Sequence, residues 1–124
     1  MRTGDVVERP IVVIDDEPGV LDLLRDLLEF EGFGVVCFDH PEQLHALTPA
    51  ANPSLFLIDI MLPGTSGIEL AQQLRAEGFA ATSMIATAAS AFMVRTARST
   101  ELFQDTLSKP FDVANLLGII ERYI

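Results

Sequence analysis

The sequence predicts a doubly wound α/β fold, a five-stranded parallel sheet flanked by five helices. Three observations predict it. Short runs such as Ile11–Ile14 and Leu55–Ile58 are apolar at every residue, as in strands buried on both faces. Helical patterns separate these runs, the alternation that yields a sheet covered by helices on two sides. Polar residues recur where the runs stop: Asp15-Asp16, Asp59, Thr87 and Lys109. In such sheets, ligands bind beyond the carboxyl ends of the strands.

The elements follow in order. Ile11–Ile14 is the first strand. A helix runs from about Pro18 to Glu31, with Val20, Leu23, Leu24 and Leu27 on one face; proline suits its first turn and Gly32 its stop. Val35–Phe38 is the second strand. Pro41–Leu47 is a short helix entered through Asp39 as a cap. Leu55–Ile58 is the third and most apolar strand. Leu62-Pro63-Gly64-Thr65-Ser66-Gly67 is rich in turn formers and reads as a loop. A third helix spans Ile68–Glu77, closed by Gly78. Met84–Thr87 is the fourth strand and Ala91–Leu102 a weakly amphipathic fourth helix. Thr106–Ser108 is a short fifth strand. Val113, Leu116, Leu117 and Ile120 define a final helix reaching the C-terminus. Crossovers between parallel strands are right-handed.

The chain has 124 residues, close to one ordinary domain, and 49% are apolar, enough for a core. It reads as one domain over 1–124 with a core of about 10–123. No apolar run reaches the roughly 20 residues of a membrane helix. The segment Met1–Pro10, with Asp5 and Glu8, does not read as a signal peptide. Cys37 is the only cysteine and sits in an apolar run, so it reads as an inert buried thiol. These features predict a cytoplasmic setting. The net charge is −10 with no basic cluster, which argues against direct nucleic-acid binding. His40 and His45 read as surface residues.

Asp15, Asp16 and Asp59 would form a hard, oxygen-rich cluster. Like charges at close range raise carboxylate pKa values or recruit a cation, and oxygen donors suit Mg²⁺. Asp15 and Asp16 alone could equally cap the first helix. Asp59 is a metal ligand, a turn residue or a nucleophile able to form an aspartyl phosphate. Lys109 is the only lysine beside seven arginines. A compact ammonium there would offset phosphoryl charge. The Thr87 hydroxyl suits a phosphoryl oxygen, and Ala88 and Ala89 leave room for a ligand. No G-x-G-x-x-G or G-x-x-x-x-G-K-[ST] loop is present. Two residues beyond Asp59, where an aspartyl phosphatase needs an acid, stands Met61.

These motifs together resemble the receiver domain of two-component response regulators, over about Ile11 to Tyr123, and so imply a flavodoxin-like receiver fold. Ile14-Asp15-Asp16-Glu17-Pro18 resembles the family's acidic motif. Leu57 to Gly64 with Ser66-Gly67 resembles its phosphoacceptor motif and loop. Ala86-Thr87-Ala88 resembles the switch-threonine motif, and Ser108-Lys109-Pro110-Phe111 the lysine-proline motif with its cis peptide. The resemblance implies that Asp59 accepts a phosphoryl group from a sensor histidine kinase or histidine phosphotransfer protein. It implies Mg²⁺ bound by Asp16, Asp59 and the backbone carbonyl of Met61, with Asp15 acting through water, and phosphoryl oxygens held by Thr87 and Lys109. Output, or pairing with a second copy, would use the fourth helix, fifth strand and fifth helix.

The chain departs from the family at two places. Thr106 stands where an aromatic residue often reports the switch, and Thr100–Asp105 replaces a small-residue stretch before the fifth strand. A degenerate receiver acting as a constitutive interaction module is therefore the first alternative, and a small aspartyl phosphatase the second, which Met61 opposes. A receiver is consumed stoichiometrically and is not a conventional enzyme. The sequence fits a stand-alone regulator and a piece of a longer one equally well.

Overall fold

The computed structural model describes residues 9–124. The expectation for the N-terminal segment up to Glu8 lies outside these residues. Five parallel strands form one sheet in the order β2-β1-β3-β4-β5. They are β1 (Ile11–Ile14), β2 (Val35–Phe38), β3 (Leu55–Asp59), β4 (Ser83–Ala88) and β5 (Asp105–Ser108). Among the described residues the α-helices are α1 (Pro18–Phe30), α2 (Gly67–Leu74), α3 (Ala91–Ser99) and α4 (Val113–Tyr123).

The second helical segment, Pro41–Ala46, is a 3₁₀ helix rather than an α-helix. Six residues opened by proline give few α-type bonds to propagate, and one buried residue, Leu44, fastens the segment. Its entry is not capped by Asp39. The Gln43 side-chain carbonyl instead accepts the backbone N–H groups of Asp39 and His40, at 2.9 and 3.2 Å. The third helix ends in a wide π turn over Arg75–Phe79, in which Gly78 takes φ 114°. Any Cβ there would come within 2.6 Å of Pro49 Cγ, so glycine is required by both conformation and space.

Residues of β1 and β3 are buried throughout. Alternate side chains supply cores on the two faces. Ile11, Val13, Leu55 and Leu57 pack with α1 and α4; Val12, Ile14, Phe56 and Ile58 pack with α2 and Phe79. Phe56 and Phe79 meet edge to face, 5.3 Å between centroids. The buried stripe of α1 differs from the expected one. Leu24 and Leu28 are buried, whereas Leu23 is half exposed. A leucine-rich helix offers two neighbouring stripes of similar hydropathy, and the sheet selects the Leu24–Leu28 one, spaced i, i+4. Cys37 is half-buried, and burial raises its thiol pKa. His40 and His45 are both exposed.

The strand order changes direction between β1 and β3. Consecutive crossovers therefore leave to opposite sides, and a crevice opens beyond the carboxyl ends of these two strands. Asp15 directly follows β1, and Asp59 is the last residue of β3.

Candidate functional site

Asp15 and Asp59 are held by the same local device. Oδ1 of Asp15 accepts the backbone N–H of Glu17 at 2.9 Å, and Oδ1 of Asp59 accepts that of Met61 at 3.0 Å. Each carboxylate thus closes a turn onto the residue two positions ahead. This fixes its rotamer where the strand ends. The second oxygen of each is left for Lys109. Its Nζ lies 2.7 Å from Asp15 Oδ2 and 3.1 Å from Asp59 Oδ2. The contact with Asp15 is close but lies off hydrogen-bond directions, which leaves Asp15 Oδ2 a buried acceptor without an aligned donor.

Lys109 reaches this position from the end of β5. Its backbone N–H donates to the Ala88 carbonyl at 2.8 Å, which carries the β4–β5 pairing one residue past the strand, and the Lys109–Pro110 peptide is cis. The side chain is 13% exposed. Burial alone would lower the pKa of this ammonium, but the close contact with Asp15, the hydrogen bond to Asp59 and the charge of both carboxylates outweigh burial and raise it. It therefore stays charged throughout the neutral range. For Asp59 the balance runs the other way. Burial raises its pKa most, and the Asp15 charge adds to this. The Met61 N–H and Lys109 oppose the rise without cancelling it.

Thr87 is the register partner of Asp59 on β4 and is buried. Its carbonyl accepts the Ile60 N–H at 3.0 Å, tying the residue after Asp59 to the strand that carries the hydroxyl. Behind Asp59 stands Gly67. A Cβ at Gly67 would fall on the Asp59 carbonyl oxygen and lie 2.9 Å from its carbonyl carbon. The loop from Met61 to Ser66 closes by a bridge between these two residues, and the Gly67 N–H donates to the Ile60 carbonyl at 2.9 Å. Ser66 then caps α2, its hydroxyl accepting the Glu69 N–H at 3.1 Å while Glu69 returns to the Ser66 N–H. The turn-rich sequence of this loop thus folds back tightly beneath the carboxylate.

A cleft of about 350 Å³ opens over Asp59, lined by Asp16, Glu17, Met61, Leu62, Pro63, Ala89 and Lys109. Met61 is exposed and forms part of the rim. Asp16 is exposed at the wall. Among the described residues, one metal-ligating group appears: carboxylate oxygens of Asp15, Glu17 and Asp59 lie within 4.8 Å of one another. Hard oxygen donors of this kind, one of them a buried acceptor without an aligned donor, could hold a divalent cation. The fold thus brings Asp15, Asp59, Thr87 and Lys109 together. Asp16 lines the same cleft outside the tight group, while Thr106 lies on β5 opposite Ala86, away from it. Glu17 is the site residue that sequence reasoning passed over. Its position in the run Asp15-Asp16-Glu17 was the available signal.

The chain belongs to the response regulator receiver domain family, whose model matches residues 11–121. Its fold is that of a receiver domain of two-component signal transduction. It is similar to the phosphate regulon transcriptional regulatory protein PhoB of Pseudomonas aeruginosa, 39% identical over 70 residues, covering 56% of this chain and 31% of PhoB. It is 30% identical to a 14.6 kDa protein of Leptolyngbya boryana, covering 95% of this chain and 92% of that one. Among solved structures, it is similar to the response regulator TrrA of Thermotoga maritima in complex with Mg²⁺-BeF, with TM-score 0.82 and 26% identity over 94% of this chain and 99% of TrrA. The chain spans 31% to 50% of the length of the first three transcriptional regulators it matches.

Proposed function

We propose that this receiver accepts a phosphoryl group on Asp59 from a phosphohistidine of a sensor histidine kinase or histidine phosphotransfer protein. The observation that carries the reading is the floor of the crevice, where an oriented carboxylate meets a charged lysine under a cleft open to solvent. An Asp59 oxygen attacks phosphorus. The bond from phosphorus to the imidazole nitrogen breaks, its electron pair stays on that nitrogen, and a new P–O bond forms on the carboxylate. Lys109 holds its ammonium where charge gathers on the transferred group. The Thr87 hydroxyl, one strand away, offers a donor to a phosphoryl oxygen.

Asp15, Asp16, Asp59 and the Met61 carbonyl, with Glu17 beside them, would hold Mg²⁺. When bound, the ion neutralises phosphoryl charge. The fit rests on the hard-oxygen donor set and the Asp15 acceptor that lacks an aligned partner. The similar receiver TrrA, solved in complex with Mg²⁺-BeF, supports the same ion.

The reaction consumes the receiver one equivalent at a time, in a reducing cytoplasm compatible with its lone thiol, so the protein is a signalling intermediate rather than a turnover enzyme. Output passes through the face formed by α3, β5 and α4, toward a second copy or an output partner. That face carries a groove with Arg98, Asp105, Thr106 and Arg122. Thr106 in place of an aromatic predicts that phosphorylation is not reported by a large side-chain swap at position 106. Incubation with acetyl phosphate and Mg²⁺, followed by intact mass, tests the reading. Wild type gains one phosphoryl group and Asp59→Asn gains none.

A further inference from the structure

Lys109 meets a third carboxylate. Glu17 Oε1 lies 3.4 Å from Nζ, and its side chain is 63% exposed, against 1% for Asp15 and 5% for Asp59. Glu17 stands between two openings. It lines the acidic cleft and also a neighbouring apolar one with Val20, Leu23, Ala89, Pro110 and Phe111. Its backbone is anchored by the N–H bond to Asp15, so its side chain starts from a fixed point.

A lysine ammonium has three N–H donors. Asp59 and Glu17 each accept one of them, and Asp15 Oδ2 presses against Nζ at 2.7 Å, so the ammonium is enclosed by three carboxylates and only the Glu17 side faces solvent. Asp15 and Asp59 cannot be released without stranding buried charge. Glu17 can, because water replaces its partner at little cost. We propose that Glu17 is a positioning residue, a displaceable cap on Lys109 that keeps its outward N–H occupied until a phosphoryl oxygen takes its place. The proposal rests on the phosphoacceptor reading above and adds a competition. The donor must displace Glu17 from Lys109 before the lysine can engage it.

Two variants of the full chain test this. Glu17→Gln removes the charge. Glu17→Asp keeps the charge but shortens the side chain by one methylene, too short to hold a contact already at 3.4 Å. With acetyl phosphate titrated at saturating Mg²⁺, both variants should lower the half-saturating donor concentration about two- to five-fold, the range of an exposed ion pair. A second readout needs neither metal nor donor. Because Lys109 is the only lysine, ¹³C-lysine labelling gives one Cε resonance, which should move in both variants. A resonance unmoved in both variants, or a donor requirement unchanged or raised, would overturn the proposal. So would Glu17→Asp behaving as wild type, since the effect would then come from charge at the cleft mouth rather than from contact. Failure of wild type to become phosphorylated would instead overturn the phosphoacceptor reading, and the inference with it.

Discussion

Lys109 Nζ lies 3.1 Å from Asp59 Oδ2, although 50 residues separate them in the chain. Asp15, following β1, contacts the same nitrogen. The ends of three strands therefore share one cation, which lies against two buried carboxylates. Asp59 remains under-compensated, with its pKa raised chiefly by burial.

This imbalance predicts that Asp59 reduces stability. A carboxyl whose folded pKa lies above its unfolded value weakens folding at pH values above the folded pKa, because the folded state then holds a charge it disfavours. Asp59→Asn should therefore stabilise the metal-free protein at neutral pH by about 0.5–2 kcal/mol, the range for relieving strain at a functional site. The gain should shrink as pH falls through the folded pKa of Asp59 and vanish below about 3.9, where the unfolded carboxyl is also protonated. Urea unfolding of both proteins across pH measures it. A gain that grows in acid would refute the assignment.

Gly67→Ala should damage the site from behind. The added methyl meets the backbone of Asp59 rather than a flexible side chain, so the strand end must move. A loss of about 1–3 kcal/mol is expected for overpacking of this kind. Phosphorylation by acetyl phosphate should also slow relative to Gly19→Ala, a control whose new methyl meets nothing within 4 Å. Equal stability and rate in the two variants would contradict the role given to Gly67.

Arg75 ties the base of the sheet together. Its guanidinium donates to the carbonyls of Ala80 and Leu102 and to Gln104 Oε1, and Gln104 Oε1 in turn accepts the Met84 N–H. The loop before β5, where Glu101 takes φ 59°, is held by this clasp. Arg75→Met strands those acceptors and should cost about 1–3 kcal/mol. Amide exchange at residues 100–104 should quicken while the acidic cleft stays protected. Uniform exchange changes across the chain would argue against a local clasp.

Met61 sits exposed on the rim of the cleft, with its backbone N–H on Asp59. An apolar side chain there disfavours ordered water near the phosphoryl group. Met61→Asn should speed loss of the phosphoryl group several-fold, as followed by intact mass over time. An unchanged lifetime would show that position 61 does not govern water entry.

Much of this arrangement was legible in the chain. Uninterrupted apolar runs mark strands buried on both faces, and Asp15, Asp59, Thr87 and Lys109 mark where those runs stop, so one edge of the sheet could be read directly. Local pattern does not encode which of two adjacent leucine stripes faces the sheet, and Leu23 was placed inward while Leu28 does the packing. Nor does it encode contacts made across the fold. Glu17 looked like the tail of an acidic motif, yet it reaches an ammonium 92 residues away. Gly67 looked like a turn residue, and its reason is the backbone of Asp59. The short second helix was legible as a helix, but its composition permits either form; six residues after a proline favour the tighter 3₁₀ one.

The central claim concerns one oxygen atom of one side chain. Phosphorylation with acetyl phosphate and Mg²⁺, borohydride reduction of the acyl phosphate, and peptide mapping by mass spectrometry would locate it. The account predicts homoserine at position 59 and at no other aspartate. Homoserine at Asp15 or Asp16 instead, or none anywhere, would contradict it.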